Sequence, residues 1–268
     1  MKENSEILEL RPDIFRIKGH GTSSHSYIIK GDYANLLIDS GVDSNFPFLQ
    51  KSLLKIGLKV RDIDIVINTH EHFDHIGANR YFQDHALIAA HRFAATKMIF
   101  DDRYVTLYRS ADLNEIPMKV HLWLESKSRF DLGNYSLNII HTPGHTSGSI
   151  CIYEPAKKIL FTGDTVFAGG TLSYIAESGS IGDYINSILS LSTRQIVEIY
   201  PGHGDISVNP EEDMERAVHN AKAFLQSEDR IEITRFQEND LKGENKVSEQ
   251  AKDHFNTCNK QKSNRTSP

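Results

Sequence analysis

Four residues in the sequence THEHFDHIGAN have the side chains and the spacing of a metal site. His70, His72, Asp74 and His75 follow a mostly apolar run, residues 63–67, which is predicted to be a buried strand. Imidazoles and carboxylates are ligands for zinc or iron, and a cluster without cysteine leaves coordination positions open for a reaction. A solvated turn is the alternative, but imidazoles have none of the turn propensity of Gly, Asn or Pro. The sequence therefore predicts a catalytic metal site after this strand.

Three further segments share one feature with the first: each has a candidate ligand at the end of a predicted strand, here beside a glycine turn. They are HTPGHTSGS with His145, LFTGDTVF with Asp164 and YPGHGD with His203. Each is weak alone, since a histidine or an aspartate next to glycine is more often a turn residue. Together with the first cluster they supply seven candidate ligands on four loops. That number suits two metal ions, which the carboxylate of Asp164 can bridge.

The elements that must position these loops are predicted from hydrophobic periodicity. Strands are predicted over residues 13–17, 26–30, 35–38, 63–67, 87–90, 120–124, 135–140, 149–153, 159–162 and 195–200. Helices are predicted over residues 46–56, 75–82, 92–100, 181–191 and 210–226. Two β-rich halves with helices favour two packed sheets with the helices outside. Since no linker separates the halves, we expect one domain over residues 1–236, followed by a polar tail over residues 237–268 that can hold one short helix.

Composition narrows the classes of partner. The chain has 268 residues, with 30 basic and 36 acidic side chains and a net charge of −6, which disfavours generic binding of nucleic acid. No run approaches the ~20 apolar residues of a membrane span, and the first ten residues lack the apolar stretch of a signal peptide. Two cysteines cannot form a disulfide framework or a thiolate zinc site. We therefore expect a cytoplasmic protein that acts on a small molecule, without membrane or nucleic-acid partners, and a homodimer is allowed.

The four motifs, in this order, resemble those of the metallo-β-lactamase superfamily and are most similar to its glyoxalase II-like branch, over about residues 13–205. The resemblance implies an α/β (α+β) fold, a four-layer αββα sandwich of two mixed β-sheets flanked by helices, with the site at one edge between the sheets. It also implies a role for each matching residue. One metal ion would be held by His70, His72 and His145, the second by Asp74, His75 and His203, with Asp164 bridging them and Asp39 of the sequence LIDSG supporting the ligand loop.

The predicted chemistry follows from charge. Two divalent ions, most simply Zn²⁺ with Fe or Mn as alternatives, would be held mainly by neutral imidazoles, and the surplus positive charge favours hydroxide. We expect this hydroxide to attack the carbonyl of a small acyl substrate, a thioester, ester or lactone, while Asp74 accepts or orients its proton as the catalytic residue. The substrate cleft is predicted to be lined by Tyr104, Tyr108, Phe167 and Tyr174.

Other functions use the same motifs. An iron-dependent persulfide dioxygenase shares much of the loop set, although intact Asp74, His75 and His203 favour two metals. A phosphodiesterase or nuclease would need an added domain or basic arm, and no insertion is large enough to supply one. A non-catalytic metal-binding module would not need open coordination positions. Glyoxalase II itself has a Cys-Gly-Arg or Cys-Gly-Lys element where this chain has residues 168–171 (AGGT), so the resemblance does not extend to its glutathione site.

Overall fold

The computed structural model describes residues 6–107 and 118–226. None of the helices in these two ranges is long and apolar enough to cross a membrane. The predicted tail, residues 237–268, lies outside the described residues, as does the boundary at residue 236.

Twelve strands form two mixed sheets within the described ranges. The first sheet contains β1 (Ile7–Arg11), β2 (Ile14–Ile17), β3 (Ser26–Lys30), β4 (Asn35–Ile38), β5 (Ile65–Asn68), β6 (Leu87–His91) and β7 (Leu122–Leu124) in that order. Its first four strands pair antiparallel and its last four pair parallel. The second sheet contains β8 (Arg129–Asp131), β9 (Ser136–His141), β10 (Ile150–Glu154), β11 (Ile159–Gly163) and β12 (Glu198–Pro201), in the order β12-β11-β10-β9-β8. Only β11 and β12 pair parallel in this second sheet.

Five α-helices connect and cover these strands. They are α1 (Phe46–Lys55), α2 (Phe73–Ile76), α3 (Arg92–Ile99), α4 (Ile181–Leu191) and α5 (Pro210–Gln226). The helices α1, α3, α4 and α5 lie within one residue of their predicted bounds.

Alternation along the strands creates the four layers. Ile29 and Leu36 belong to the core between the sheets, whereas their neighbours Ile28 and Leu37 face outward and pack with Leu53 of α1. On the second sheet the outward residues pack against α4 and α5; this third cluster includes Leu160, Ile199, Tyr184, Ile188 and Ala217. The order of layers is therefore helix, sheet, sheet, helix, as the sequence predicted.

The helix predicted over residues 75–82 is wrong. The structure has only the short α2, followed by a 3-10 turn over Asn79–Tyr81. The carbonyl of His75 accepts hydrogen bonds from the backbone amides of Ser40 (2.8 Å) and Gly41 (3.2 Å) instead of continuing a helical ladder. These tertiary bonds end the helix after one turn and fix the backbone of a candidate ligand to the loop after β4.

Candidate metal centre

The candidate ligands lie at one edge of both sheets, on loops or, for Asp74 and His75, on the short helix α2. His70 follows β5 and Asp39 follows β4, and these two strands are parallel neighbours. Asp164 and His203 follow β11 and β12, the parallel pair of the second sheet, and His145 lies on the loop between β9 and β10. The carboxyl ends of parallel strands meet at the same edge of a sheet, which is where open sheets place their functional loops.

Three histidines form the first group. Nε2 of His70 lies 3.1 Å from Nδ1 of His72, and Nε2 of His145 lies 3.2 Å and 2.9 Å from these two atoms. Ligands about 2.0–2.1 Å from one tetrahedral ion would be about 3.3–3.4 Å apart, so the spacing is close to that of a zinc site. Burial and the neighbouring imidazoles hold the pKa of His70 well below its usual value and lower that of His72 to about 3. Both rings are therefore neutral near pH 7 and can present a lone pair to a cation.

The second group consists of Asp74, His75 and His203. Oδ2 of Asp74 lies 3.0 Å from Nε2 of His203 and 3.5 Å from Nε2 of His75. Asp164 lies between the two groups. Its Oδ1 is 3.4 Å from His75 Nε2, while its Oδ2 is 3.7 Å from His203 Nε2 and 3.9 Å from His145 Nε2. All seven predicted side chains therefore converge. Asp74 faces imidazoles of the second group, and Asp164 faces imidazoles of both groups.

Asp39 contacts the ring nitrogen of His75 that does not face Asp74 and Asp164. Its Oδ2 lies 2.8 Å from His75 Nδ1, and its two oxygens also accept hydrogen bonds from the amide (2.8 Å) and the hydroxyl (2.7 Å) of Thr69. An acceptor at Nδ1 places the proton on that nitrogen, which leaves Nε2 free to face Asp74 and Asp164. Asp39 therefore connects the loop after β4 to both Thr69 and His75.

The residues fit a bound cation. Within the described residues, His75 Nε2 and Asp164 Oδ1 are buried and have no hydrogen-bond partner, and they face each other at 3.4 Å. Burial would lower the pKa of His75, but the carboxylates of Asp164, Asp74 and Asp39 more than offset it and hold that pKa well above its usual value. Burial likewise would raise the pKa of Asp164, but His75 holds it well below the usual range. Carboxylates concentrated in this way require positive charge, and a divalent cation would supply it.

Gly202 leaves space for the side chains of Asp164 and His75, and its replacement is a first test of the site. A Cβ at this position would lie 2.5 Å from Asp164 Oδ1 and 2.7 Å from His75 Cε1. We expect Gly202→Ala to displace both side chains and to weaken metal binding at least about 10-fold, the range seen when ligands lose their positioning. Elemental analysis after equilibration with buffered zinc measures this. Gly182→Ala on α4 is the matched control, since its Cβ would meet only Ser180 Oγ at 3.8 Å. Equal zinc affinity in the two variants would contradict the prediction.

The residues predicted to line the substrate cleft differ in their exposure to solvent. Phe167 is partly buried, whereas the side chains of Tyr104 and Tyr174 are mostly exposed. Tyr174 reaches the site through its backbone, because its carbonyl lies 2.6 Å from Nδ1 of His145. Tyr108 lies outside the described residues.

His25, which was not predicted to have a role, supports the His203 loop. The backbone amide of His25 donates to the carbonyl of Gly202 (2.7 Å), and its ring Nε2 lies 2.8 Å from the carbonyl of Gly204. Nδ1 accepts from the amide of Gly19, and burial lowers the ring pKa to about 4, so the ring stays neutral. His25 therefore holds the chain on both sides of His203. A lone histidine before a strand gave no signal of this role.

The chain is similar to known metallo-hydrolases over the segment that carries the four motifs. Residues 20–203 match the model of the metallo-beta-lactamase superfamily. A probable metallo-hydrolase of Methanocaldococcus jannaschii is 40% identical over 202 residues, which cover 72% of this chain and 93% of that protein. An acyl-coenzyme A thioesterase of Homo sapiens is 27% identical over 68% of this chain and 74% of its own length. A probable hydroxyacylglutathione hydrolase of Schizosaccharomyces pombe is 31% identical, but the match covers 56% of this chain and 53% of that protein.

Solved structures confirm the predicted fold. A metallo-beta-lactamase family protein from Thermus thermophilus superposes with a TM-score of 0.68 at 20% identity, covering 81% of this chain and 82% of that one. A subclass B3 metallo-beta-lactamase of Bradyrhizobium japonicum gives 0.65 at 20% identity, covering 88% and 97%. At this identity the likeness establishes the four-layer sandwich and not the substrate.

Proposed function

This chain belongs to the metallo-beta-lactamase superfamily, and we propose that it is a dinuclear metallo-hydrolase that cleaves small acyl thioesters. The convergence of seven side chains from four segments of the chain carries the proposal, because it provides two adjacent groups of ligands with a carboxylate between them. Two relatives whose names describe thioester hydrolases, one acting on acyl-coenzyme A and one on hydroxyacylglutathione, support the choice of a thioester.

The donor set of imidazoles and carboxylates suits zinc or iron. We assign zinc because the proposed reaction is a hydrolysis and needs no redox chemistry. When bound, a divalent metal lowers the pKa of coordinated water to about 7 and polarises a carbonyl, so it supplies both nucleophile and electrophile. We assign one ion to His70, His72 and His145. The second is assigned to Asp74, His75 and His203, with Asp164 shared.

Asp74 is the proposed catalytic residue. The nearby imidazoles of His75 and His203 outweigh its burial, so its pKa is lowered and its carboxylate is ionised at neutral pH. Its Oδ2 faces His203 and His75. Oδ1 is therefore the oxygen that we propose accepts a proton from the attacking water. Asp39 keeps the neighbouring His75 in the tautomer that this arrangement needs.

The function is tested by thiol release. We expect the zinc-loaded protein to hydrolyse acetyl-coenzyme A or a longer acyl-coenzyme A, measured with a chromogenic thiol reagent, and to act less well on S-lactoylglutathione because the glutathione element of glyoxalase II is absent. A matched oxygen ester and a lactone extend the panel. His121→Ala is the control and should leave activity intact, since this ring is exposed and accepts a hydrogen bond from the backbone amide of Ile88. If none of these substrates were hydrolysed and the protein consumed oxygen in the presence of a persulfide, the proposed hydrolase function would be wrong and the dioxygenase alternative would be favoured.

A further inference from the structure

Glu71 is a fully buried carboxylate between two candidate ligands, His70 and His72, in the chain. Its carboxylate accepts hydrogen bonds from three side chains. Lys97 Nζ lies 2.5 Å and Ser178 Oγ 3.2 Å from its Oε1, and Thr146 Oγ1 lies 2.9 Å from its Oε2. Both oxygens of this buried charge are therefore satisfied.

The partners of Glu71 connect the loops that carry the three histidines. Thr146 directly follows His145, so one bond joins the loop after β5 to the loop between β9 and β10. Lys97 of α3 also donates to Ser147 Oγ at 2.6 Å, which attaches that second loop to the helix. Gly148 permits the close approach, because a Cβ there would lie 2.6 Å from Glu71 Oε2.

The Glu71 side chain is fully buried and that of Lys97 is 17% exposed. An ion pair with a buried carboxylate contributes little to stability compared with apolar residues of the same volume, because the carboxylate loses its hydration. Its geometric effect is larger. A metal site needs its donor atoms held within about 0.5 Å of the productive geometry, and here two separate loops must bring three nitrogens to one point. The carboxylate reaches both loops and the ammonium reaches both the carboxylate and the second loop, so the pair fixes their relative position.

We propose that the buried pair of Glu71 and Lys97 positions the His70, His72 and His145 group for metal binding, so that both are positioning residues of the proposed hydrolase site. The inference rests on the proposed function, because it assumes that this group binds metal. The pair supports the donor geometry and neither residue touches the ion or the substrate.

The test compares two double variants that each remove one ion pair. Glu71→Gln with Lys97→Met replaces the buried pair without leaving an unpaired charge. Asp84→Asn with Lys119→Met removes a pair of nearly the same length, 2.7 Å, whose two side chains are mostly exposed to solvent. Each metal-free protein is titrated with Co²⁺ and with Zn²⁺, and the visible spectrum of the cobalt form reports the ligand geometry.

We expect the Glu71 and Lys97 double variant to bind the first Co²⁺ about 10- to 100-fold more weakly than the wild type, with a changed spectrum, while its metal-free form still unfolds cooperatively. The single variant Lys97→Arg keeps the positive charge beside Glu71, so it should retain the Co²⁺ affinity and the spectrum of the wild type. The surface double variant should match the wild type in both. Wild-type affinity and spectrum in the buried double variant would overturn the inference, as would a metal-free form that no longer folds, since the pair would then serve folding alone. A wild-type protein that binds neither metal would instead overturn the proposed function, and the inference with it.

Discussion

Replacing Asp164 with asparagine is expected to lower both metal content and thioester hydrolysis, the latter by more than the ~100-fold that loss of a ligand-supporting partner causes. Asp164 Oδ1 faces His75 and its Oδ2 faces His203 and His145, so the carboxylate belongs to both ligand groups. An amide of the same shape loses the negative charge and one acceptor. The carboxylate of Asp74, assigned to the second ion, would then be the one negative charge left among the seven ligands, and the repulsion between two cations would favour loss of one ion.

Metal content per chain and kcat/KM are measured on the same preparations. Asp84→Asn is the matched control, because it makes the same chemical change in an exposed side chain that pairs with Lys119. If Asp164→Asn retained the metal content and the full activity of the wild type, the bridging assignment would be contradicted. A loss of activity with unchanged metal content would keep Asp164 in the site but remove its proposed role in holding the second ion.

The ligand loops were predictable because each carries its own local signal. His70, Asp164 and His203 follow apolar runs that read as strands, and glycines beside the last two mark the turns where those strands end. Local signals of this kind depend on residues a few positions apart. The structure joins these loops because β4 and β5, and also β11 and β12, are parallel neighbours.

Supporting contacts could not be predicted in this way. The pairing of Glu71 with Lys97 depends on how α3 lies against the loop after β5, and the bonds of His25 to Gly202 and Gly204 join positions that are far apart in the chain. The strand β1 was missed because its sequence ILELR includes two charged residues, and β8 was missed because its three residues, RFD, are too short to establish a period. In each case a tertiary contact decides the structure, and a single sequence does not contain its geometry.

Removal of metal is expected to abolish hydrolysis and to lower the melting temperature of the protein by on the order of 10 °C. A ligand at a thousand times its Kd stabilises a fold by about 4 kcal/mol, and about 1 kcal/mol corresponds to roughly 2–4 °C in a domain of this size. The structural reason is that, in the described part of the chain, His75 Nε2 and Asp164 Oδ1 are buried without hydrogen-bond partners and face each other where a cation is proposed to lie.

Calorimetric melting before and after treatment with a chelator, and again after Zn²⁺ is restored, measures this effect. Activity and melting temperature should fall together and recover together in the wild type. Asp164→Asn, which we expect to hold less metal, should show a smaller change on chelation, because less of its stability would come from bound ions. A wild-type melting temperature that does not respond to chelator, in protein stripped of metal by elemental analysis, would mean that the seven side chains are held in place by the fold alone and that the cation contributes nothing to it.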